Sequence, residues 1–135
     1  MADWIIPCNP GVYDLFGAFT SLETVDWRQS AKSIETGDHV FIYVSSPVQA
    51  VAYRCKVMET MIPSESVDRS DDVFNVSGSQ EEDDDHIYMR LKPDCRIPLD
   101  RITFQKMRSA GLKGNIQGQR RVPEELRELF EDAAD

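Results

Sequence analysis

Three short polar segments interrupt otherwise apolar, strand-like stretches of the chain, at residues 7–10, 26–30 and 111–121. Together they contain an indole, several amides and hydroxyls, and a cluster of cations. Aromatic faces stack on nucleobases, polar side chains read base edges, and cations contact phosphates. These residue types therefore suit a flat, polar, heteroaromatic ligand beside an anion, a description that a nucleobase with its phosphate fits.

Trp27 is the residue on which this interpretation depends most. Its neighbours are Asp26, Arg28, Gln29 and Ser30, so it does not lie in a typical core strand. One interpretation is a tryptophan packed at the edge of the core with its polar flanks in water. The other is a stacking platform for a base whose edge Gln29 or Ser30 would read.

Other residues of the polar segments and their surroundings have plain structural interpretations as well. Trp4 is followed by two isoleucines, which predicts a core position. Asn9 precedes Pro-Gly and is typical of a turn, with ligand contact as a second role. Arg120 and Arg121 either favour solvent or contact phosphate.

Catalytic chemistry has little support in the sequence. The two histidines are His39 and His86, and no serine or cysteine has a base partner that the spacing reveals. A histidine–cysteine pair assembled in space from Cys8 or Cys55 stays open. The three cysteines form no CxxC pair, and the acidic run at residues 81–85 lacks the spacing and the glycine of a calcium loop. We therefore predict no catalytic residue, no metal site and no cofactor.

The formal net charge of −9 is unevenly distributed along the chain. Residues 59–85 contain ten acids and one base, whereas residues 101–121 contain six bases and no acid. A basic region in an otherwise acidic protein predicts contact with a few phosphates rather than with a long wrapped duplex.

Hydrophobic periodicity predicts an α+β fold. Alternation over residues 39–45, apolar on both faces, predicts a central strand. Further strands are predicted at about residues 4–8, 50–62 and 86–92, and helices at about 13–22, 101–110 and after Pro123. These elements do not alternate regularly as in parallel α/β proteins.

The length of 135 residues predicts a single domain over residues 1–135. Residues 63–85 are rich in Ser, Asp and Glu, which predicts an exposed, mobile acidic loop. The sequence has neither a signal-like N-terminus nor an apolar run that could cross a bilayer. We therefore expect a cytoplasmic protein with no membrane partner.

Four segments, in this order and at this spacing, resemble the EVE domain: WIIPCNP at 4–10, DWRQS at 26–30, GDHVFIYVS at 37–45 and GLKGNIQG at 111–118. The resemblance covers about residues 3–130 and is greatest to the subfamily found N-terminal to HNH nuclease domains. It implies a PUA-like fold, a small mixed β-barrel of about five or six strands flanked by short helices. It also implies a relationship to PUA, YTH and SRA domains, which hold a modified or flipped base.

Carried over by position, the resemblance implies a base-binding pocket and a phosphate-binding rim. The implied pocket residues are Asn9, Trp27, Gln29, Ser30, Tyr43, Ser45, Leu112, Asn115 and Gln117. The implied phosphate contacts are Lys113, Arg120 and Arg121. No His-Asn-His pattern follows the domain in this sequence, which predicts a reader whose partner nuclease, if it has one, is encoded separately.

The expected function is noncatalytic binding of a methylated or hydroxymethylated cytosine or adenine in DNA or RNA, with the base flipped out of its stack. Two alternatives stay open. One is a protein-interaction module that uses the acidic loop and the C-terminal helix. The other is a binder of free nucleosides or other small molecules, which salt would weaken far less than nucleic-acid binding.

Overall fold

The computed structural model describes residues 1–76 and 86–134. Within them lie six strands: β1 (Asp3–Cys8), β2 (Val25–Arg28), β3 (His39–Val44), β4 (Ala50–Pro63), β5 (Ile87–Arg96) and β6 (Arg120–Arg121). Three α-helices accompany them: α1 (Leu15–Ser21), α2 (Phe104–Ala110) and α3 (Arg127–Ala134). The predicted α+β class is confirmed. In the described part of the chain, no helix is long and apolar enough to span a membrane.

The six strands form one mixed sheet in the order β2-β5-β4-β3-β1-β6. β1 and β3 run parallel, and the other neighbouring pairs are antiparallel. From Val40 to Val44, every residue of β3 is buried, as expected for a central strand covered on both faces. β3 therefore contributes side chains to two separate hydrophobic cores, one on each face of the sheet.

Alternate side chains of the sheet enter alternate cores. The first core contains Val40 and Ile42 of β3 and is covered by α1. The second contains Phe41 and Tyr43, together with buried residues of α2 and α3. The side chains of Phe41 and Tyr43 therefore lie on the face of the sheet opposite the first core.

Two of the helices have clear sequence-encoded boundaries. Asp14 caps α1 by accepting a hydrogen bond from the backbone N–H of Gly17 at 3.0 Å. Thr103 caps α2 in the same way, at 3.1 Å from the N–H of Lys106. α2 ends at Gly111, whose φ of 121° is a conformation that side chains with a Cβ rarely adopt.

The two edge strands of the sheet, β2 and β6, do not pair with each other, so the sheet is open rather than a closed barrel. The side chain of Gln119 links the two edges instead. The Gln119 carbonyl oxygen accepts hydrogen bonds from the backbone N–H of Ser30 at 2.9 Å and of Ala31 at 3.1 Å. Its amide nitrogen donates to the carbonyl of Arg28 at 2.7 Å. One glutamine therefore occupies the position where further backbone pairing would close a barrel.

The prediction of an exposed mobile loop from residue 63 is corrected for residues 63–76. Pro63 is the last residue of β4, and 3₁₀ turns follow at Ser64–Ser66 and Asp72–Phe74. Phe74 packs against the first core, and its carbonyl accepts a hydrogen bond from the Asp14 N–H at 2.7 Å. The acidic composition of the segment predicts exposure to solvent and does not reveal that Phe74 packs against the core. The rest of the predicted loop, residues 77–85, lies outside the described residues.

Candidate functional site

A cavity of about 740 Å³ opens between the end of β1, strand β2 and the segment 64–75. Its volume falls within the range of small-molecule sites in proteins. The wall includes Asn9 after β1, Trp27 on β2 and Tyr88 on β5. Three separate parts of the sequence therefore meet around one space.

Trp27 is half-buried and packs against the first core while also lining the cavity. Two aromatic rings meet its indole at steep angles: Tyr13 at 76° with ring centroids 5.4 Å apart, and Phe19 at 74° and 6.3 Å. Such edge contacts are the favourable geometry for aromatic pairs. They fix the orientation of the indole without covering it by a parallel ring.

Tyr13 also makes a polar contact across the cavity wall. Its hydroxyl donates to an Asp71 carboxylate oxygen at 2.8 Å. Burial raises the pKa of Asp71, and it raises the pKa of Tyr13 together with the hydrogen bond to Asp71. The tyrosine therefore stays protonated and serves as a hydrogen-bond donor that holds this carboxylate in place.

Asp26 ties the segment 64–75 to the sheet. It lies opposite Arg90 in the β2–β5 register, and the two form a paired contact with N–O distances of 2.8 and 3.0 Å. The same carboxylate accepts the backbone N–H of Asp68 at 2.8 Å. The Asp26 side chain is 1% exposed, and the hydrogen bond with Asp26 raises the pKa of Arg90. Its charge is thus compensated, which makes Asp26 a structural anchor rather than an acid or base.

Two arginines add positive charge to the cavity lining. The Arg69 guanidinium lies over the ring of Tyr88, 5.8 Å from its centroid. Arg28 lines the wall beside Trp27, and its carbonyl is held by Gln119. The cavity thus combines aromatic faces with charges of both signs.

Cys8 lines the cavity but is poorly suited to act as a nucleophile. Burial raises the pKa of its thiol to about 12, so the thiol stays protonated at neutral pH. Burial likewise raises the pKa of Cys55 well above its usual value. His39 lies elsewhere, with nitrogens 3.8 Å from Asp3 and 3.7 Å from Asp94. Among the described residues, no cluster of three potential metal ligands is found.

Of the nine residues predicted for the base pocket, the structure brings Asn9 and Trp27 to the cavity wall. Gln29 is buried instead, and its amide accepts the Met61 N–H at 3.0 Å and donates to the Ala31 carbonyl at 3.1 Å. Its amide is therefore hydrogen-bonded to backbone groups and does not line the cavity, and its role in reading a base stays a prediction. Ser30 is exposed and does not line the cavity.

Tyr43 and Leu112 also lie away from the cavity lining, because both belong to the second core. Tyr43 packs beside Phe104 with ring centroids 6.2 Å apart. Strand parity sends its side chain to the face away from the cavity. Ser45 also lies outside the cavity lining, and its hydroxyl donates to the carbonyl of Cys8 at 3.3 Å.

The basic segment 111–121 forms a surface separate from the cavity lining. Its members Asn115, Gln117 and Lys113 are exposed and do not line the cavity. Arg120 and Arg121 are exposed as well, on strand β6 against β1. Gln119 connects the basic surface to the cavity. It directly precedes Arg120, and its side chain donates a hydrogen bond to the backbone carbonyl of the cavity residue Arg28 at 2.7 Å.

The sequence reasoning missed Tyr13, Asp71, Arg69 and Tyr88 as cavity residues. The hydrophobic pattern predicts a helix that begins at Tyr13, and the acidic composition predicts a mobile loop that contains Arg69 and Asp71. The pair Tyr13–Asp71 spans 58 residues of sequence, so no local spacing could reveal it. The one available signal was Phe74, a large apolar residue in an acidic segment, which predicts docking of that segment on the core.

No protein-family profile matches the sequence, and no curated protein matches it. Solved structures do match the fold over nearly the whole chain. ASCH from Zymomonas mobilis superposes with a TM-score of 0.68 at 11% identity, covering 99% of this chain and 96% of that one. A Pseudomonas putida protein superposes with a TM-score of 0.67 at 14% identity, covering 99% and 100% of the two chains.

Human THYN1, solved in complex with 5-methylcytosine containing DNA, superposes with a TM-score of 0.62 at 10% identity. That alignment covers 100% of this chain and 98% of THYN1. The fold is PUA-like. The fold class predicted from the sequence is confirmed, with the difference that the sheet stays open at the β2 and β6 edges.

Proposed function

We propose that this protein binds a modified nucleobase, in DNA or RNA, in the cavity beside Trp27, and that it does so without catalysing a reaction on it. The observation that carries the proposal is an indole that is oriented by two edge-on rings and partly exposed at a cavity of about 740 Å³. A preoriented aromatic ring beside fixed polar groups is what base recognition outside a duplex requires. The protein would read a base that carries an added methyl or hydroxymethyl group.

The free-energy cost of extruding a base and the expected gain from binding it are of similar size. Extruding a base from a duplex costs a few kcal/mol, and less when the base is already unpaired. Stacking on an aromatic side chain contributes about 1–3 kcal/mol per base, and hydrogen bonds to the base edge add to it. Burying one added methyl group contributes about 1 kcal/mol. The PUA-like fold shared with THYN1, which was solved with methylcytosine DNA, supports a nucleic-acid partner at this fold.

Phosphates flanking the base would be held outside the cavity. Lys113, Arg120 and Arg121 are exposed and close in sequence to Gln119, which bonds to the cavity residue Arg28. The resemblance to the EVE domain supports the same assignment. A nuclease acting on the bound nucleic acid would be supplied by a separate chain.

A second candidate is suggested by the charge of the cavity. Its wall contains four carboxylates, on Asp26, Glu65, Asp71 and Asp72, and two guanidinium groups. An acidic excess disfavours a polyanion and is compatible with an uncharged nucleoside as the natural ligand. Salt dependence distinguishes the candidates, because phosphate contacts release counterions and nucleoside binding does not.

The proposal is tested by measuring affinity for short oligonucleotides that differ at a single modified position, at three salt concentrations. Binding that prefers one modified base and falls with increasing salt is expected. Binding of the free nucleoside with equal strength and no salt dependence would favour the second candidate. Equal binding of all oligonucleotides, unaffected by a change at Trp27, would refute base recognition in the cavity.

A further inference from the structure

The pair formed by Tyr13 and Asp71 joins the segment 64–75 to the chain before α1 and lies at the wall of the cavity. The Tyr13 hydroxyl donates to one carboxylate oxygen of Asp71, Oδ2, at 2.8 Å. Both residues line the cavity that also contains Trp27. A carboxylate has about four acceptor sites, so Asp71 keeps acceptor capacity for a ligand beyond the hydrogen bond from Tyr13.

The backbone that carries Asp71 is fixed from both sides. The Phe74 carbonyl accepts a hydrogen bond from the backbone N–H of Asp14 at 2.7 Å, and the backbone N–H of Val76 donates one to the Val12 carbonyl at 2.8 Å. On the other side, the Asp68 N–H donates to the anchored carboxylate of Asp26 at 2.8 Å. The carboxylate of Asp71 is therefore held in one position before any ligand arrives, which lowers the entropic cost of using it.

A carboxylate accepts hydrogen bonds and donates none. Facing it, the exocyclic amine of cytosine is a favourable partner, whereas the O4 carbonyl of thymine or uracil is another acceptor. We propose that Asp71, positioned by Tyr13, accepts a hydrogen bond from the exocyclic amine of a cytosine stacked on Trp27, and so selects cytosine over thymine. This rests on the proposed function of the cavity and adds to it the residue that determines which base is taken.

The natural probe is the pair 5-methylcytosine and thymine. The two bases share ring size and the 5-methyl group, and they differ in the amine or carbonyl at position 4 and the adjacent ring nitrogen. Four single-stranded oligonucleotides, identical except for cytosine, 5-methylcytosine, uracil or thymine at one position, separate the amine from the methyl group. The wild-type protein is expected to bind each amine-bearing base about tenfold to a hundredfold more tightly than its keto counterpart.

Asp71→Asn keeps the shape of the side chain and is expected to invert this preference. The Tyr13 hydroxyl would hold the carbonyl oxygen of the new amide, since a hydroxyl donates to an acceptor. The NH₂ group would then face the base, where it matches O4 of thymine and uracil. In the double variant with Tyr13→Phe, the amide is no longer oriented, and the preference between amine and keto bases should approach one.

The matched control is Asp72→Asn, which removes the same charge from the neighbouring residue of the same wall. It should leave the ratio of cytosine to thymine affinity unchanged, even where general affinity rises through the lost negative charge. The ratio is insensitive to the fraction of folded protein, so a thermal melt of each variant suffices to show that it is folded at the assay temperature.

The outcomes separate this inference from the proposed function. If all four oligonucleotides bind with similar affinity, or if Asp71→Asn and Asp72→Asn change the ratio alike, the role of Asp71 is refuted. Base binding itself would still stand in that case, provided that Trp27→Ala weakens all four complexes. If none of the four binds and Trp27→Ala changes nothing, the proposed function and this inference both fail.

Discussion

The two tryptophans of this protein have opposite surroundings. Trp4 is 5% exposed, its indole N–H donates to Asp38 at 2.9 Å, and the Arg121 guanidinium lies 5.4 Å from its ring centroid. Trp27 packs against the same core but stays partly exposed where it lines a cavity. The first indole has its polar and apolar requirements met within the protein, whereas the second retains surface that a ligand can cover. The comparison predicts that Trp4 matters chiefly for stability, and it supports the proposed role of Trp27 in binding.

The largest expected effect is on binding at Trp27. Trp27→Ala should weaken binding of a preferred modified oligonucleotide by about 1–3 kcal/mol, because the stacking surface is lost. Trp27→Phe should retain part of the affinity, since a smaller ring still stacks. Fluorescence anisotropy with a labelled oligonucleotide measures both variants. Equal affinity of all three proteins would break the assignment of Trp27 to binding.

The complementary change at Trp4 should appear in stability. Trp4→Phe removes the hydrogen bond to Asp38 and leaves a small cavity, which should lower the free energy of unfolding by about 1–3 kcal/mol. Denaturant unfolding at neutral pH measures it. The relative affinities for different bases should not change, and a change in them would contradict the division between the two tryptophans.

A pH series sharpens the same experiment. Burial alone would raise the pKa of Asp38, but hydrogen bonds from the backbone N–H groups of Ala2 and Glu35 and from Trp4 outweigh it and lower that pKa. A carboxylate with a lowered pKa stabilises the fold above its unfolded pKa of about 3.9, and that stabilisation is lost as the pH falls through the folded value. The stability difference between wild type and Trp4→Phe should therefore shrink below about pH 4. A difference that grows on acidification would contradict this role of Asp38.

Gln119 links the edge strand β2, which contains Trp27, to the edge strand β6, which pairs with β1 at Trp4. Loss of its side chain should affect stability less than the tryptophan substitutions affect binding and stability. Gln119→Ala removes three hydrogen bonds between the β2 and β6 edges, which should cost about 1–2 kcal/mol of stability and several degrees in Tm. The matched control is Gln117→Ala, an exposed amide two residues away. Thermal unfolding of both variants measures the difference. Equal melting temperatures would show that the side-chain link contributes nothing.

The smallest expected effect concerns the basic surface. Arg120→Ala should weaken binding of all oligonucleotides by a similar factor and flatten the slope of log affinity against log salt by up to about one unit. Lys92→Ala, an exposed cation on β5, is the control of equal charge. If both variants change the slope alike, the effect is one of net charge. If Arg120→Ala leaves the slope unchanged, phosphate contact at this residue is refuted.

The fold could be predicted largely because its signals are local. The double-sided apolar alternation of residues 39–45 indicated a central strand, and β3 is one. The apolar neighbours of Trp4 likewise predicted a core position, which the structure confirms, whereas the polar flanks of Trp27 left two interpretations open. Such patterns depend on neighbours in sequence, and periodicity reports them directly.

The candidate site was harder to predict because its members come from distant segments. A position-by-position resemblance included Tyr43 and Gln29, yet strand parity turns one to the second core and backbone hydrogen bonds occupy the other. Asp71 was missed because its acidic surroundings predict solvent exposure, while its partner Tyr13 is 58 residues away. The side-chain link between the two edges of the open sheet through Gln119 is equally nonlocal, since it joins residues about 90 positions apart.

The most direct test of the central claim is an NMR titration that follows the two indole N–H signals while an oligonucleotide containing 5-methylcytosine is added. A base entering the cavity should displace the Trp27 signal strongly, and the Trp4 signal, held by Asp38, should move little. The Trp27→Phe variant assigns the two peaks. A Trp27 signal that stays in place at saturating oligonucleotide, whether or not that of Trp4 moves, would contradict base binding in this cavity.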